Sequence, residues 1–392
     1  MTYAPTMTSL LTGDLRDYPS YLALHGPLPR WDGAALIDEV AAAGLTGRGG
    51  AGFSTARKLE AVAASGGGAV VIANGAEGEP ASAKDRTLLA YSPHLVLDGL
   101  LLVAAAVRAS RTIVYITQSS VDTMRSAIAA RRDAARVEIV VAPDSFIAGE
   151  ESAVISAVEG RPALPRDKAR LVVRHGVHGS PTCVQNVETL AHLALIARRG
   201  ADWYRSSGTF LATVSGAVAL PGVVELVPGV SLGSALDRAG GSVEPLRALL
   251  VGGFHGAWVP ATDLDTPLTR EGLAPYGAAP GAGVVIALPA RTCPLEYSTT
   301  VASYLAGQSA AQCGPCSNGL PRLADTLRRL AHRDRSPHLA PQVEQLTRLV
   351  AGRGACHHPD GSARLVASTM RTFADDVRAH LAGGCVGKAY AR

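Results

Sequence analysis

Four glycines fall within six positions, Gly47, Gly49, Gly50 and Gly52, and Phe53-Ser54-Thr55 and Lys58 follow. Glycine lets backbone N–H groups close on a phosphate and adopt positive φ, and Arg48 and Lys58 supply positive charge. The spacing fits neither the G-x-G-x-x-G fingerprint nor the P-loop, and a glycine cluster by itself marks a turn equally well. A second segment, Asn74-Gly-Ala-Glu77-Gly-Glu-Pro80, leads to Lys84-Asp85-Arg86. Its amides and carboxylates suit a heteroaromatic ring edge or a row of hydroxyls, although a solvated loop has the same composition. In a third, Phe146-Ile-Ala-Gly149-Glu150-Glu151, paired acids open a helix, where they also serve as plain complements to its dipole. A fourth, running from Ser180 through Val184, Gln185 and Asn186 to Thr189, is a polar turn followed by a helix.

Six cysteines complete the reactive inventory: Cys183, Cys293, Cys313, Cys316, Cys356 and Cys385. In a large intracellular chain the spacing Cys313-x-x-Cys316 reads as metal or redox ligands before it reads as a structural disulfide. Four of the six lie after position 300, which assigns any metal chemistry to the C-terminal part.

These segments need a scaffold, and the first half supplies a repeating one. The short β-branched runs 69–73, 112–116 and 137–141 read as buried strands. Helical stretches at 93–109 and 121–135 separate them, which predicts an α/β domain with a mainly parallel sheet. Its ligands are expected at the C-terminal ends of the strands. After Trp203 the pattern changes to two strands joined at Pro221-Gly222, a short helix over 231–239 and a strand from Leu249, which together form a small α+β module. From about Pro294 the pattern is helical, with Leu320, Leu323, Leu327 and Leu330 on one face.

The 392 residues are 47% hydrophobic and 18% charged, with a net charge of +4, so several globular domains are expected and no nucleic-acid footprint is present. The longest apolar stretch, 95–107, is interrupted by Asp98 and is shorter than the about 20 residues a membrane span needs. The N-terminus has no basic region followed by an apolar core, so the expectation is a cytoplasmic protein with no membrane span of its own.

GRGGAGFST, NGAEGEP with KDR, FIAGEESA with VEGRP, and SPTCVQNVETL with RGADWY occur in the order and spacing of one family. The chain resembles the NADH-binding flavoprotein subunits of respiratory complex I and the diaphorase subunits of soluble hydrogenases and formate dehydrogenases. More distantly it is similar to the C subunit of the Rnf complex. The resemblance implies an FMN- and NADH-binding α/β domain over 1–205, a β-grasp domain like the soluble-ligand-binding modules over 206–290, and a helical iron–sulfur-binding domain over 291–392.

Carried onto matching positions, it implies that Gly47, Arg48, Gly49, Gly50, Gly52 and Lys58 surround the FMN phosphate and the dinucleotide. Asn74 and Glu77 meet the flavin and its ribityl chain, and Gly149, Glu150 and Glu151 line the nicotinamide side. Val184, Gln185, Asn186 and Thr189 close the FMN pocket, and Phe53 stacks on the dinucleotide. Glu150, Glu151 and Phe53 are the residues expected nearest the hydride transfer. Departures are visible: Ala76 replaces the usual Asp, Phe146 the usual Tyr, and Ala61 and Leu171 stand at commonly aromatic positions after Lys58 and Lys168. Lost stacking of about 0.5–1.5 kcal/mol per contact weakens dinucleotide binding.

Cys313-Gly-Pro-Cys316 and Cys356 match the family's [4Fe–4S] ligands, while Ala310 stands where a further cysteine is expected. Three readings are open: a cubane held by three cysteines and a non-cysteine ligand, zinc held with His357 or His358, or an empty site. Cys183 and Cys293 are read as packing residues, and Cys385 as a free surface thiol unless the cluster recruits it. The function that follows is hydride transfer from NADH to FMN, with single electrons passed to an iron–sulfur centre or partner protein. The expected partner is a ferredoxin-like or thioredoxin-fold iron–sulfur subunit, at which the chain would sit peripheral to a membrane complex. Two alternatives stand beside it: an FMN protein exchanging electrons with a ferredoxin-like partner without NADH, and a noncatalytic scaffold.

Overall fold

The computed structural model describes residues 10–166 and 171–386, so Lys168 and the first nine residues lie outside the described residues. The chain forms two compact units, Met1–Leu211 with Glu225–Pro228, and Ala212–Val224 with Gly229–Arg392. The segments expected as a β-grasp module and a helical domain thus share the second unit.

In the first unit, strands β1 (Ala69–Gly75), β2 (Ala109–Thr117), β3 (Val137–Ala142) and β4 (Thr182–Asn186) form one sheet in the order β3-β2-β1-β4. Every pairing in it is parallel. β1 to β3 match the predicted runs. β4 reads as a turn in the sequence, because a five-residue strand containing Gln and Asn carries little β signal of its own. Its backbone is paired by β1, which overrides the propensity. One face of the sheet buries Val70, Ile72, Ile113, Tyr115 and Val184 against Val154 and Ile155.

The helices Pro93–Ala106 and Val187–Arg199 pass so closely that a Cβ on Gly99 would lie 2.0 Å from the Leu190 carbonyl oxygen. Asp98, which breaks the apolar run, is 1% exposed and is paired with Arg131 at 2.6 Å, with Arg198 and with the Tyr21 hydroxyl. Among the described residues no single helix is long and apolar enough to cross a membrane. The helix pair Lys84–Tyr91 and Pro93–Ala106, apolar enough together, is bent by 97°, and Leu88, Leu89, Leu95, Val96 and Leu97 are at most 1% exposed within the protein.

A mixed sheet, most of it in the second unit, is formed by β5 (Phe210–Gly216), β6 (Gly222–Leu226), β7 (Leu246–Val251), β8 (Ala257–Pro260) and β9 (Val284–Pro289), in the order β6-β5-β9-β7-β8. β5 and β9 run parallel, while β7 is antiparallel to β8 and β9. Five helices follow between Pro294 and Leu381. Trp258 on β8 is fully buried, and its indole N–H lies 3.2 Å from both Ser298 and Thr369 on two of those helices.

A histidine pair gives this unit a pH dependence. His255 Nε2 lies 3.2 Å from His358 Nδ1, and His358 Nε2 lies 2.8 Å from the Leu305 carbonyl. Burial, then His358 and Arg364, pushes His255 down to about 3, and burial lowers His358 as well. The unfolded chain takes up protons near pH 6.5 while the folded one does not, so stability falls as pH drops from 6.5 toward 3. His255 alone contributes a slope of about 1.4 kcal/mol per pH unit within that window. Melting wild type and His255→Asn between pH 7 and 4.5 should show a shallower decline in the variant. Identical slopes would show that His255 does not stay neutral in the fold.

Candidate functional site

The strand order places the site. β1, β2 and β3 are laid down in one direction from β1, and β4 lies on the other side, so the order reverses between β1 and β4. In open parallel sheets such a switch leaves a crevice at the carboxyl ends of the two strands. Here those ends carry Asn74 and Asn186, which face each other in register, as do Ala73 and Gln185.

The glycine loop lies over this crevice. Gly47 N–H donates to the Phe53 carbonyl at 2.8 Å and closes the loop, while Gly50 at φ 108° and Gly52 at φ 65° take conformations that favour glycine. The Arg48 N–H donates to Thr189 Oγ1 at 2.9 Å, and a Cβ on Gly49 would lie 3.5 Å from Asn186 Cβ. On the other side, a Cβ on Gly149 would lie 2.7 Å from the Ala76 carbonyl, and one on Gly78 would lie 2.5 Å from the Phe146 carbonyl. The loops after β1 and β3 therefore pack backbone to backbone, and Asn74 ties them by donating from Nδ2 to the Gly149 carbonyl at 2.9 Å.

The charged residues are used in ways the sequence did not show. The Arg48 guanidinium donates to the Tyr204 hydroxyl at 3.0 Å and lies 5.8 Å from the Phe210 ring centroid, so Arg48 offers the loop its backbone. Lys58 Nζ donates to Glu151 Oε1 at 2.8 Å and to the Val184 carbonyl at 3.0 Å. Both cations expected at a phosphate thus have protein partners. Glu150 caps the helix Glu151–Val158 through the N–H groups of Ser152 and Ala153. Glu77 accepts from the Ser82 hydroxyl and the Asp85 N–H at 2.6 and 3.0 Å, at the start of the helix Lys84–Tyr91. Phe53 is 55% exposed and Leu171 65%, leaving the aromatic face open beside the loop.

Below Asn186 lies an ionic network that sequence reading missed. Lys84 Nζ reaches Asp85 Oδ1 at 2.6 Å and Glu188 Oε2 at 2.9 Å, with all three side chains at most 8% exposed. Asn186 donates to Asp85 Oδ2 at 2.7 Å and accepts from the Glu188 N–H at 2.9 Å. Burial by itself would raise the Glu188 carboxyl, but Lys84, His192 and Arg48 outweigh it and hold it far below the carboxylate range. Asp85 is raised, by burial first and then by Glu77 and Glu188 against the pull of Lys84. The network fixes the Asn186 amide and with it the floor under Gly49. Its sequence signal was the KDR run, which reads as part of a polar site turn and shows nothing of the buried pairing.

In the second unit, Cys316 lies in a π-helical turn, Pro315–Gly319, a geometry often found at functional sites. The nearby Ala311, in the segment of Ala310, has φ 51°. Burial would raise the Cys313 thiol, but the N–H groups of Ala355 and Cys316 and the Cys316 thiol more than offset it and hold it below its ordinary value. Cys316 is pushed up to about 12, first by burial and then by Cys313 and Cys356. The three sulfurs thus share one electrostatic neighbourhood, with backbone N–H donors of the kind that support thiolate ligands. His358, offered as a zinc ligand, has Leu305 and His255 at its two nitrogens. His357, 86% exposed, has only Nδ1 engaged, with Asp360 at 3.1 Å.

A glycine loop over the switch point of a parallel sheet defines a nucleotide-type cofactor-binding α/β protein, and the cysteine turn in the helical region has metal-ligand spacing. Residues 40–195 match the Nuo51 FMN-binding domain family, and residues 296–380 match the NADH-ubiquinone oxidoreductase-F iron-sulfur binding region. The chain is 30% identical to the F 2 subunit of the NADH-quinone oxidoreductase of Rhizobium meliloti (strain 1021), over 92% of each chain. It is 31% identical to the F subunit of the NADH-quinone oxidoreductase of Escherichia coli (strain K12), over 88% of this chain and 84% of that one. The fold also matches a chain of NAD+-reducing [NiFe]-hydrogenase in the air-oxidized state, with a TM-score of 0.86 and 30% identity, covering 99% of this chain and 70% of that one. The chain belongs to the family of NADH-quinone oxidoreductase F subunits. It is an NADH dehydrogenase-type flavoprotein with FMN and iron–sulfur cofactors.

Proposed function

We propose that the crevice at the ends of β1 and β4 holds FMN with its phosphate against the Gly47–Gly52 loop, and that NADH enters beside Phe53 and Glu151. The observation that carries this is the loop over the crevice: Gly50 and Gly52 hold positive φ, and the backbone at Gly49 passes so near Asn186 that a Cβ there would touch it. The chemistry FMN supplies when bound is acceptance of a hydride from NADH and release of the electrons singly. The protein's part is positional. Asn74 joins the two loop walls, Asn186 and Gln185 form the floor, and Thr189 holds the glycine loop by its Arg48 N–H.

In this reading Glu77 and Glu150 act through the helix starts they cap, and Lys58 sets the direction of Glu151. The Glu151 carboxylate in the dinucleotide site disfavours the extra negative charge of the 2′-phosphate that NADPH carries on its adenosine ribose, and so favours NADH. Cys313, Cys316 and Cys356 hold a cubane whose fourth ligand is not cysteine. The single electrons leave to a ferredoxin-like or thioredoxin-fold iron–sulfur subunit, with the chain on the cytoplasmic side and peripheral to the complex it serves. The mixed β5–β9 sheet corresponds to the β-grasp module, and the helices after Pro294 to the iron–sulfur bundle.

The test is direct. Denatured protein should release FMN and not FAD, and anaerobic NADH should bleach the flavin band faster than NADPH in a stopped-flow experiment. A chain that binds no flavin on reconstitution would end the enzyme reading. Flavin that NADH leaves oxidised, but that a reduced ferredoxin reduces, would favour the dinucleotide-independent alternative.

A further inference from the structure

Cys293, His380 and Cys385 come from three places in the chain. Cys293 caps the helix Pro294–Gly307, His380 lies in the last turn of the helix Ala374–Leu381, and Cys385 follows that helix. Their ligand atoms, two sulfurs and an imidazole nitrogen, all lie within 4.8 Å of one another. The sequence reads Cys293 as a packing residue, and it is buried, and Cys385 as a free thiol; the convergence gives the two a shared neighbour in His380. Both cysteines also lie outside the 296–380 segment that matches the iron–sulfur region.

We propose that these three side chains form a second metal site, which takes one Zn2+-type divalent cation and is chemically independent of the Cys313, Cys316 and Cys356 cluster. The imidazole is already set for it. His380 Nδ1 lies 3.2 Å from the Leu330 carbonyl, and a ring nitrogen against a carbonyl carries the proton. Nε2 therefore bears the lone pair, and it lies 3.4 Å from Cys293 Sγ. A carbonyl partner on the far nitrogen is the usual way in which a metal-binding histidine is oriented. With Zn–S near 2.3 Å and Zn–N near 2.0–2.1 Å at tetrahedral angles, sulfur and nitrogen stand roughly 3.5 Å apart, which is the edge seen here.

Charge and access agree with this assignment. His380 is 0% and Cys293 8% exposed, while Cys385 is half-buried. Binding releases one proton from each thiol to solvent, and the resulting unit of two thiolates, a neutral imidazole and a dication has no net charge to bury. Two cysteines and one histidine leave the fourth position to water, the ligand count of an open zinc site. A thiol–imidazole hydrogen bond would use only two of the three groups. A Cys293–Cys385 disulfide would leave the oriented imidazole without a purpose. The ion would tie the end of the last helix to the start of the first one in the helical region, so its binding free energy would become stability of the unit.

The experiment uses the full chain, purified anaerobically with its flavin and iron–sulfur cofactors and then given Zn2+ or Co2+ alone. The expected result is one ion retained through gel filtration, release of two protons, and thiolate-to-cobalt and tetrahedral d–d absorption bands. Cys385→Ser, a change in a half-buried segment beyond the last helix, should lose the ion and the bands while iron and flavin contents stay unchanged. Cys385→His should restore binding with a weaker thiolate band. Cys313→Ser should keep the cobalt signal, which separates this site from zinc bound at cluster cysteines. Cobalt uptake indifferent to Cys385→Ser, or no uptake together with a Cys293–Cys385 disulfide in mass spectra, would overturn the proposal.

Discussion

A chain carrying Cys316→Ala should emerge from anaerobic purification with its FMN and without its iron–sulfur cluster. Cys316 is 3% exposed in the π-helical turn, and its neighbours Cys313 and Cys356 are the other cysteine ligands proposed for the cubane. With Ala310 at the remaining position, the site starts one thiolate short, and a second loss leaves two cysteines for four irons. A site with four cysteines has some tolerance for one substitution, and this one has none. Iron should fall to background and the electron paramagnetic resonance signal should vanish, while NADH still bleaches the flavin in a single turnover. Ala310→Cys should act in the opposite sense by slowing loss of iron in air. Full iron retention in Cys316→Ala would remove Cys316 from the ligand set.

Lys84→Met should be among the most destabilising single changes in the first unit. It leaves Asp85 and Glu188, at 5% and 1% exposure, without the cation that lies 2.6 and 2.9 Å from them. Breaking a buried ionic group by removing one partner costs about 3–5 kcal/mol. For a unit of this size that is a melting-point drop of roughly 10 °C. Asn186 loses its own Lys84 contact at 3.4 Å and the cation that holds its partner Asp85 in place, so FMN retention should fall with stability. The control is Arg86→Ala, next but one in sequence and 56% exposed, with Glu77 3.9 Å away. Arg86 is exposed and its contact with the buried Glu77 is long, so the pair is worth at most about 1 kcal/mol, and its loss should leave flavin binding intact. A Lys84→Met chain that melts within about 1 kcal/mol of wild type would show that the network is not a stability element.

What the sequence determined by itself is tied to local periodicity and to motifs with a fixed order. The runs 69–73, 112–116 and 137–141 became β1 to β3 because short β-branched stretches suit a pleated sheet, continuous in the buried β1 and broken by Glu138 in the half-exposed edge strand β3. The helix at 320–331 followed from the spacing of Leu320, Leu323, Leu327 and Leu330. The family, and with it FMN, followed from four short motifs in a fixed order, and the iron–sulfur expectation from the Cys313-x-x-Cys316 spacing with Cys356.

Only the tertiary structure decided which partner each polar group takes. β4 exists because β1 pairs with it, and no propensity in Thr182-Cys-Val-Gln-Asn186 announces that. Arg48 and Lys58 read as phosphate cations until Tyr204 and Glu151, more than 90 residues away in sequence, arrive beside them. Lys84 and Glu188 are 104 positions apart, and Cys293 and His380 are 87 apart, so no window of the sequence contains either pair. A hydrogen bond or ion pair depends on distance and burial, and sequence spacing reports these only within one helix or strand. Contacts between elements are set by how the apolar faces pack, and the chemistry of this chain is built from those contacts.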